Sequence, residues 1–464
     1  MMEPRTLDFV AQSCNGQLVS GERSASVHRV CTDSRLAKPG DLFFAIRGDR
    51  FDGHDYLTDA LGQGAEAAVV SRSRLGQAES AGPMIKVDET RCALGQLAAR
   101  YRQDFELPVV AIGGSNGKTS TKEILATVLR QRVETLSSKA SFNNDVGVPL
   151  TLLRLREAHE VAVLEVGSNH PGELQPLLQL IQPRYGVLTS IGREHLEFFG
   201  NLEGVIEEEG ALGEALPPEG CLFVNGDIEG LGSIRRRCCA TVVTVGEGEA
   251  CDWRITDIRS DDEEGTTFEI ISPKGDWDGA YCVNLLGRQN AHNAALAIAL
   301  AAELGLSREE LDQGLQRCRP ASMRMEMQTL GGVRIINDAY NSNPDSLLAA
   351  LETMESFSAR GKRIAVLGDM AELGQASESA HFEAGKLAAR LGLNGLITVG
   401  RWADTTVRAA QEAGLVNVAA FDDVTVAGQA LGKKLEPGDV VLIKGSRAAK
   451  MERIIEALSE TMNT

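Results

Sequence analysis

The stretch "AIGGSNGKTSTKE", residues Ala111–Glu123, decides how the rest of the chain folds. The apolar run that leads into it indicates a buried strand, and the residues after it carry apolar side chains at helical spacing. A glycine-rich turn between a strand and a helix points successive backbone N–H groups inward, and the helix N-terminus adds partial positive charge. We therefore predict that residues 113–119 bind the phosphates of a nucleoside triphosphate.

The loop residues can be given individual roles. Lys118 is expected on the β- and γ-phosphate oxygens, and Thr119 or Ser120 is expected to supply a hydroxyl to Mg²⁺. Only three residues separate Gly113 from the Gly117-Lys118 pair, where the common form of the loop has four. This short spacing argues against an ordinary switch GTPase, as does the absence of a guanine-reading NKxD tetrapeptide. The predicted nucleotide contacts of the loop are Gly113, Gly114, Ser115, Asn116, Gly117, Lys118 and Thr119.

The composition is that of an ordinary globular protein. The 464 residues are 43% hydrophobic and 24% charged, and the formal net charge of −18 without a basic block argues against nucleic-acid binding. No apolar run is long enough to span a membrane, and the N-terminus lacks the apolar core of a signal peptide. We therefore expect a cytoplasmic protein, in which the nine cysteines are reduced because they form no CxxC pair.

Apolar strands alternate with helical segments along most of the chain. Three runs in its middle are continuous and apolar, as is typical of a parallel sheet covered by helices on both faces: LPVVAIGG, EVAVLEVGSNH and YGVLTSIG. After a linker, RCRPASMRMEM, the pattern restarts with four more strands, VRIINDAY, RIAVLGDM, GLITVG and VVLIKGSR. We predict an α/β protein of three domains: a central parallel-sheet P-loop ATPase domain at 107–318, a smaller α/β N-terminal domain at 1–106 and a Rossmann-like C-terminal domain at 319–464.

A series of motifs recurs in order along almost the whole chain. Besides the loop GGSNGKTS, these motifs are TDSR (32–35), RGDRFDGHDY (47–56), SFNNDVGVPLTLLRL (141–155), LEVGSNHPGE (164–173), REHLEFFG (193–200), NDAYNSNPDS (337–346), LGDMAELG (367–374) and KGSRAAKME (444–452). With them the chain resembles the Mur ligases, the ATP-dependent enzymes that build the peptide of bacterial cell-wall precursors.

The resemblance implies an activity, cofactors and partners. The chain most resembles the family member that adds D-alanyl-D-alanine to UDP-N-acetylmuramoyl-tripeptide through an acyl phosphate. That resemblance implies ATP and Mg²⁺ as cofactors. The first domain would bind the UDP-sugar, the second ATP and the third the dipeptide, and we expect a monomer. Two alternatives stay open: another amide ligase of similar architecture, such as another Mur ligase or a folylpolyglutamate synthase, and a nucleotide-dependent switch.

The resemblance also assigns roles outside the loop. Glu165 ends a predicted strand and is expected to bind Mg²⁺. The resemblance implies that His195 binds a second Mg²⁺ and that Arg324 reaches the γ-phosphate. Asp338 matches a ribose contact, and Asn290 belongs to an ATP-contacting element whose usual histidine is replaced by Gln289. The predicted catalytic residues are Lys118, Glu165, His195, Glu209 and Arg324.

Glu209 is included because the chain departs here from the family pattern. Many Mur ligases place a carbamylated lysine about ten residues after the FFG element, where its carbamate binds the second Mg²⁺. This chain has Glu209 at that position, inside VIEEEGA, and a glutamate supplies a carboxylate directly on a shorter arm. We predict that Glu209, or its neighbour Glu208, takes over the metal role; a solvated acidic helix face is the alternative.

The predicted substrate contacts lie in all three domains. In the first domain they would bind uridine and diphosphate; in the NDAYNSNPDS motif they would hold the dipeptide, and two lie in the SFNNDVGVPL motif. The set is Ser34, Arg35, Asp52, His54, Asn143, Asn144, Tyr340, Asn341, Asn343 and Ser346.

Overall fold

We describe a computed structural model of the chain, which covers residues 1–48, 50–77, 82–261 and 265–462. Asp49 of the RGDRFDGHDY motif lies outside the described residues. Within that described part, no helix combines the length and apolar character needed to cross a bilayer.

The N-terminal elements build a five-stranded sheet and a short two-stranded ladder. In chain order they are β1 (Arg5–Thr6), α1 (Leu7–Ser13), β2 (Gln17–Ser20), β3 (Ser26–Val27), β4 (Arg29–Cys31), β5 (Asp41–Phe44), α2 (Leu57–Gly62), β6 (Ala67–Ser71), β7 (Met84–Val87) and α3 (Thr90–Arg102). The larger sheet has the order β2-β7-β6-β5-β4, in which only the β2–β7 pair is antiparallel. β1 pairs antiparallel with β3.

The central elements build a nine-stranded sheet. In chain order they are β8 (Val109–Gly113), α4 (Lys118–Leu129), β9 (Thr135–Ser137), α5 (Gly147–Leu152), β10 (Val161–Glu165), α6 (Leu174–Ile181), β11 (Tyr185–Leu188), α7 (Leu196–Phe199), α8 (Leu202–Glu214), β12 (Cys221–Asn225), α9 (Leu231–Arg237), β13 (Thr241–Gly246), β14 (Trp253–Asp261), β15 (Gly265–Ile271), β16 (Gly279–Val283), α10 (Arg288–Glu303) and α11 (Arg308–Arg317). The order is β16-β15-β14-β13-β12-β11-β8-β10-β9, so β8, which leads into the phosphate loop, lies between β11 and β10.

The C-terminal elements build a six-stranded sheet. They are β17 (Glu326–Leu330), β18 (Val333–Asp338), α12 (Pro344–Glu355), β19 (Arg363–Gly368), α13 (Ser377–Arg390), β20 (Gly395–Val399), α14 (Ala403–Glu412), β21 (Val418–Phe421), α15 (Val424–Gly432), β22 (Val440–Lys444) and α16 (Arg453–Met462). Their order is β17-β18-β22-β19-β20-β21, parallel except for the β17–β18 hairpin.

The predicted strands and helices around the phosphate loop are confirmed, but the sheets are larger than expected. The central sheet is parallel from β9 to β14, whereas β14, β15 and β16 pair antiparallel and form an extension that the sequence analysis did not anticipate. Their inward side chains nevertheless belong to the core, since Phe268 and Tyr281 pack with helix α10 residues such as Leu296. The C-terminal sheet likewise has two more strands than the four predicted, β17 and β21.

The N-terminal and central sheets share one hydrophobic core. Buried residues of the first sheet, such as Phe44, and of helix α3, such as Leu97, belong to the same cluster as Leu152 of the central domain. Tyr101 adds a polar link, because its buried hydroxyl donates to the Leu155 carbonyl at 2.7 Å. Because the two sheets bury apolar side chains in the same cluster, the first domain is held against the central one.

Candidate active site

The phosphate loop has the backbone conformation that its glycines predict. Gly114 and Gly117 have φ values of +115° and +87°, in the left-handed region that favours glycine. Close packing adds to this requirement, because a Cβ at Gly117 would lie 2.4 Å from the Asn293 Oδ1 atom. The loop therefore lies against helix α10, and helix α4 begins at Lys118 with its N-terminus toward the loop.

Lys118 lies over this loop. Its Nζ atom donates to the carbonyls of Gly114 and Ser115, and it lies 3.8 Å from a carboxylate oxygen of Glu194. Burial alone would lower the pKa of Lys118, but the nearby carboxylates of Glu194 and Glu209 outweigh it and the pKa is raised. A raised pKa keeps the lysine charged beside the loop, as its predicted role on the phosphate oxygens requires.

Three residues that the sequence places in different motifs meet at the end of β10. The Thr119 hydroxyl donates to Glu165 Oε2 at 2.9 Å, and the Asn143 amide donates to Glu165 Oε1 at 3.0 Å. Glu165 is 1% exposed and pairs in register with Ile112, the residue before the loop. A carboxylate and a hydroxyl beside a phosphate loop are ligands that Mg²⁺ accepts.

The described residues contain no group of three or more His, Cys, Asp or Glu side chains arranged to hold a metal ion. That finding is compatible with magnesium, which usually takes one or two carboxylates and completes its octahedron with water and substrate phosphates. Thr119 and Glu165 are therefore the part of the predicted metal set that the structure brings together.

Glu208 and Glu209 are neighbours on helix α8 but bind different parts of the protein. Both Glu208 oxygens accept backbone N–H groups at the start of α6, from Gly172 at 2.7 Å and Leu174 at 2.8 Å. Glu209 Oε2 instead accepts the Gly114 N–H of the phosphate loop at 2.6 Å. Burial raises the pKa of Glu209 to about 7. Of the two carboxylates considered for the metal role, only Glu209 points to the loop. Both are buried, so neither belongs to a solvated acidic face, which was the alternative to the predicted metal role.

His195 is engaged with the third domain. Its Nδ1 atom is hydrogen-bonded to the Glu372 carboxylate, and the Glu197 N–H donates to the Glu372 carbonyl at 3.0 Å. This hydrogen bond lowers the pKa of Glu372. His195 and Glu372 both have positive φ values, +48° and +61°, which non-glycine residues adopt only when their surroundings hold them there.

Several predicted dipeptide contacts also join the domains or cap a helix. The Asn343 amide donates to Asn116 Oδ1 of the phosphate loop at 3.0 Å, and Asn343 Oδ1 accepts the Ser346 N–H at 2.8 Å in the capping box of α12. The Tyr340 hydroxyl is hydrogen-bonded to that of Ser141. Tyr340, Asn343 and Ser346 are thus already engaged within the protein.

A cavity of about 200 Å³ adjoins the start of α4, between helix α10 and the linker to the third domain. Asn290 and Arg324, both predicted to contact ATP, line it. Asp338, the predicted ribose contact, forms an ion pair with the buried Lys444 and accepts the Met325 N–H at 3.1 Å. Gln289, which replaces the histidine usual in the family, accepts the Thr353 hydroxyl of α12 through Oε1 at 3.4 Å. The glutamine that stands where the family has a histidine therefore contacts the third domain.

Comparisons with known proteins follow the same three parts of the chain. Three family models match: the Mur ligase family catalytic domain at residues 26–102, the Mur ligase middle domain at 112–301, and the Mur ligase glutamate ligase domain at 323–447.

The chain belongs to the Mur ligase family.

Full-length relatives agree with this assignment. A Bacillus subtilis protein named UDP-N-acetylmuramoyl-tripeptide–D-alanyl-D-alanine ligase is 35% identical over 99% of both chains. A crystal structure of MurF from Acinetobacter baumannii matches with a TM-score of 0.89 at 30% identity, over 99% of both chains. A structure of MurF ligase from Thermotoga maritima in complex with ADP matches with a TM-score of 0.82 at 26% identity, over 94% of this chain and 98% of that one. The predicted family and α/β fold class are confirmed.

The first domain of this Mur ligase places two predicted substrate residues in one network. Asp52 accepts from His54 Nδ1 at 2.6 Å and from Arg74 at 2.9 Å, and His54 Nε2 accepts the Ser71 N–H. Ser34 and Arg35 lie apart from it, in a short 3₁₀ turn where Arg35 pairs with Asp33.

The last two substrate candidates of this Mur ligase lie in loops, Asn144 before α5 of the central domain and Asn341 after β18 of the third. Asn144 Oδ1 accepts the N–H of Gly147, the first residue of α5, at 2.9 Å. Asn341 is exposed, and its carbonyl accepts from Lys444 at 3.0 Å. Neither contact assigns a ligand to these residues.

Sequence analysis overlooked two residues of this Mur ligase site. Glu194, beside Lys118, immediately precedes His195 in the REHLEFFG motif and is buried, and burial raises its pKa. Asn293 packs on Gly117 and donates to Asn290 Oδ1 at 3.0 Å. Its position three residues after Asn290, one helical turn along the same ATP-contacting element, could have identified it.

Proposed function

We propose that this Mur ligase joins D-alanyl-D-alanine to a UDP-N-acetylmuramoyl-tripeptide at the expense of ATP. The observation that carries the proposal is the junction at the phosphate loop, where Lys118 lies beside the Thr119–Glu165 pair and the third domain reaches the loop through Asn343. Relatives that match the chain from end to end carry this activity in their name.

The chemistry requires two balanced steps. A carboxylate oxygen of the tripeptide attacks the γ-phosphorus, the bond to the β–γ bridging oxygen breaks, and ADP leaves. The dipeptide amine then attacks the acyl carbon, phosphate leaves with the former carboxylate oxygen, and the amine gives up a proton. Water must be kept away from the acyl phosphate, which favours reaction between closed domains.

The side chains divide this work. Lys118 holds the phosphate charge, and Arg324, which lines the neighbouring cavity from the linker, adds a second cation on the γ-phosphate. Thr119 and Glu165 would hold Mg²⁺, which would neutralise phosphate charge during transfer. The bond to Glu372 uses only the Nδ1 atom of His195. Its Nε2 atom lies 3.8 Å from Glu194, the carboxylate beside Lys118, so this nitrogen is the one that would serve a metal.

The domains at 1–106, 107–318 and 319–464 would bind the UDP-sugar, ATP and the dipeptide respectively. The half-buried hydrogen-bond network of Asp52 and His54 supports a rigid site for the sugar nucleotide in the first of them. We propose that the enzyme acts as a cytoplasmic monomer.

A second cavity supports the role of the third domain. It has a volume of about 590 Å³, within the usual range for small-ligand sites, and opens at the carboxyl ends of β19, β20 and β22. Arg401 and Trp402 line it, with the Arg401 guanidinium 5.1 Å from the centre of the Trp402 ring. Glu372 lines it too, so the cavity adjoins His195. A cation and an aromatic wall suit the terminal carboxylate and methyl groups of a dipeptide.

Arg401→Ala is expected to raise the KM for D-alanyl-D-alanine about 10- to 100-fold, because a hydrogen bond to a charged group contributes about 1.5–3 kcal/mol. The KM for ATP should stay within about twofold. Initial rates with each substrate varied in turn measure both values. Arg408→Ala, on the exposed face of the following helix, is the matched control. An unchanged KM for the dipeptide in Arg401→Ala would show that this cavity does not bind it.

Glu209→Gln is expected to raise the Mg²⁺ concentration needed for half-maximal rate by about tenfold, since the change removes a ligand charge but little volume. A magnesium titration at saturating ATP measures the effect. Glu207→Gln is the control, because Glu207 is the exposed neighbour that pairs with Arg237. If magnesium dependence is unchanged, the carboxylate serves the loop through the Gly114 N–H and not the metal.

Phosphate release tests the proposed function as a whole. The protein is mixed with ATP, Mg²⁺ and the UDP-tripeptide, with and without D-alanyl-D-alanine. Release that needs both substrates supports the ligase; release with neither would favour a nucleotide-dependent switch. Parallel assays with the diaminopimelate and lysine forms of the tripeptide identify its third residue.

A further inference from the structure

His381 lies behind the 590 Å³ cavity and uses both of its ring nitrogens. It is on helix α13 and is 3% exposed. Nδ1 donates to the Ser377 carbonyl one turn earlier at 2.7 Å, and Nε2 accepts the Met370 N–H at 2.9 Å. Only the neutral imidazole with its proton on Nδ1 can make both bonds.

The Met370 bond fixes the segment that follows β19. This segment runs from Asp369 to Glu372 and lines the cavity. The Asp369 carboxylate accepts the backbone N–H groups of Arg401 at 2.8 Å and Trp402 at 3.1 Å. His381 therefore fixes Met370, and the neighbouring Asp369 fixes the backbone of Arg401 and Trp402, whose side chains are the proposed dipeptide contacts.

The imidazole also supports the aromatic wall directly. The rings of His381 and Trp402 are stacked, with centroids 5.8 Å apart and an angle of 26° between their planes. His381 thus contacts both Trp402 and the segment after β19, although it does not itself line the cavity.

We propose that His381 is a positioning residue that sets the shape of the dipeptide cavity through Met370 and Trp402. The inference rests on the proposed function and adds to it the residue on which affinity for the incoming dipeptide depends. Burial lowers the pKa of His381, which agrees with a neutral ring that accepts the Met370 N–H. The adjacent titratable group is Asp369, 3.8 Å from Nε2.

Three substitutions separate the parts of this role. His381→Gln can still place an acceptor near the Nε2 position, His381→Asn can keep only the Ser377 contact, and His381→Met keeps only the volume. We expect the Asn and Met variants to raise the KM for D-alanyl-D-alanine about tenfold, since each leaves the buried Met370 N–H without its partner. The Gln variant should stay within about threefold of the wild type.

The KM values for ATP and UDP-tripeptide, and kcat at saturating dipeptide, should change less than about twofold in all three variants. ADP binding reports whether each variant is folded, and either the Asn or the Met variant suffices if the other does not fold. An unchanged dipeptide KM in the folded variants overturns the proposal, as does an equal rise in all three KM values or a Gln variant no better than Met. Wild-type ligation is measured alongside, so that loss of the proposed function itself is distinguished from failure of this inference.

Discussion

Lys118→Ala is expected to lower kcat/KM for ligation by about a thousandfold or more. The lysine is the only side-chain cation placed within the loop itself among the described residues, and its raised pKa keeps it charged beside Glu194 and Glu209. Removing one donor to a developing oxyanion typically costs about 10²–10³ in rate, and this donor is a full charge. Initial rates of amide product formation as a function of ATP concentration, with the other two substrates saturating, measure the loss.

Two variants make this result interpretable. Lys139→Ala removes an exposed lysine from the same domain and should leave the rate unchanged. Lys118→Arg keeps the charge on a bulkier group and should recover only part of the activity. A Lys118→Ala enzyme that is folded and works within tenfold of the wild type would contradict the phosphate role of the loop.

Glu165→Gln is expected to lower kcat by at least about 100-fold and to raise the magnesium requirement. The carboxylate is buried at the end of β10 and accepts from Thr119 and Asn143, so its charge is directed to the loop and not to solvent. Even residues that only orient metal ligands typically contribute 10- to 100-fold, and a direct ligand should contribute more. The rate is measured as a function of Mg²⁺ concentration at fixed ATP.

Glu160→Gln provides the control for Glu165. Glu160 immediately precedes the other end of the same strand and is exposed, so the same chemical change there should leave both kcat and magnesium dependence as in the wild type. If Glu165→Gln behaves like Glu160→Gln, the Thr119–Glu165 pair is a structural hydrogen bond and the metal is held elsewhere.

The sequence predicts those parts of the site that local rules determine. A glycine-rich turn between a strand and a helix has few possible conformations, so the loop and Lys118 could be predicted directly. Glu165 follows from the same logic, because carboxyl ends of neighbouring parallel strands lie at one edge of a sheet. The family resemblance added the domain order and the substrates.

Local sequence patterns do not predict the contacts between domains. His195 meets Glu372, 177 residues later in the chain, and no periodicity encodes such a pairing. Asn343 shows the related difficulty: its motif identifies a functional loop, but the capping box of α12 and the amide of Asn116 decide where its side chain points. The direction of a side chain depends on neighbours that only the folded chain supplies.

In the proposed reaction, ATP activates the tripeptide carboxylate as an acyl phosphate. A UDP-tripeptide labelled with ¹⁸O in both oxygens of the reacting carboxyl group tests it, with mass spectrometry of the phosphate and of the amide product. Reaction through an acyl phosphate places one ¹⁸O atom in each phosphate released and retains one in the new amide. Amide product accompanied by unlabelled phosphate, or the absence of amide product from folded protein that binds nucleotide, would contradict it.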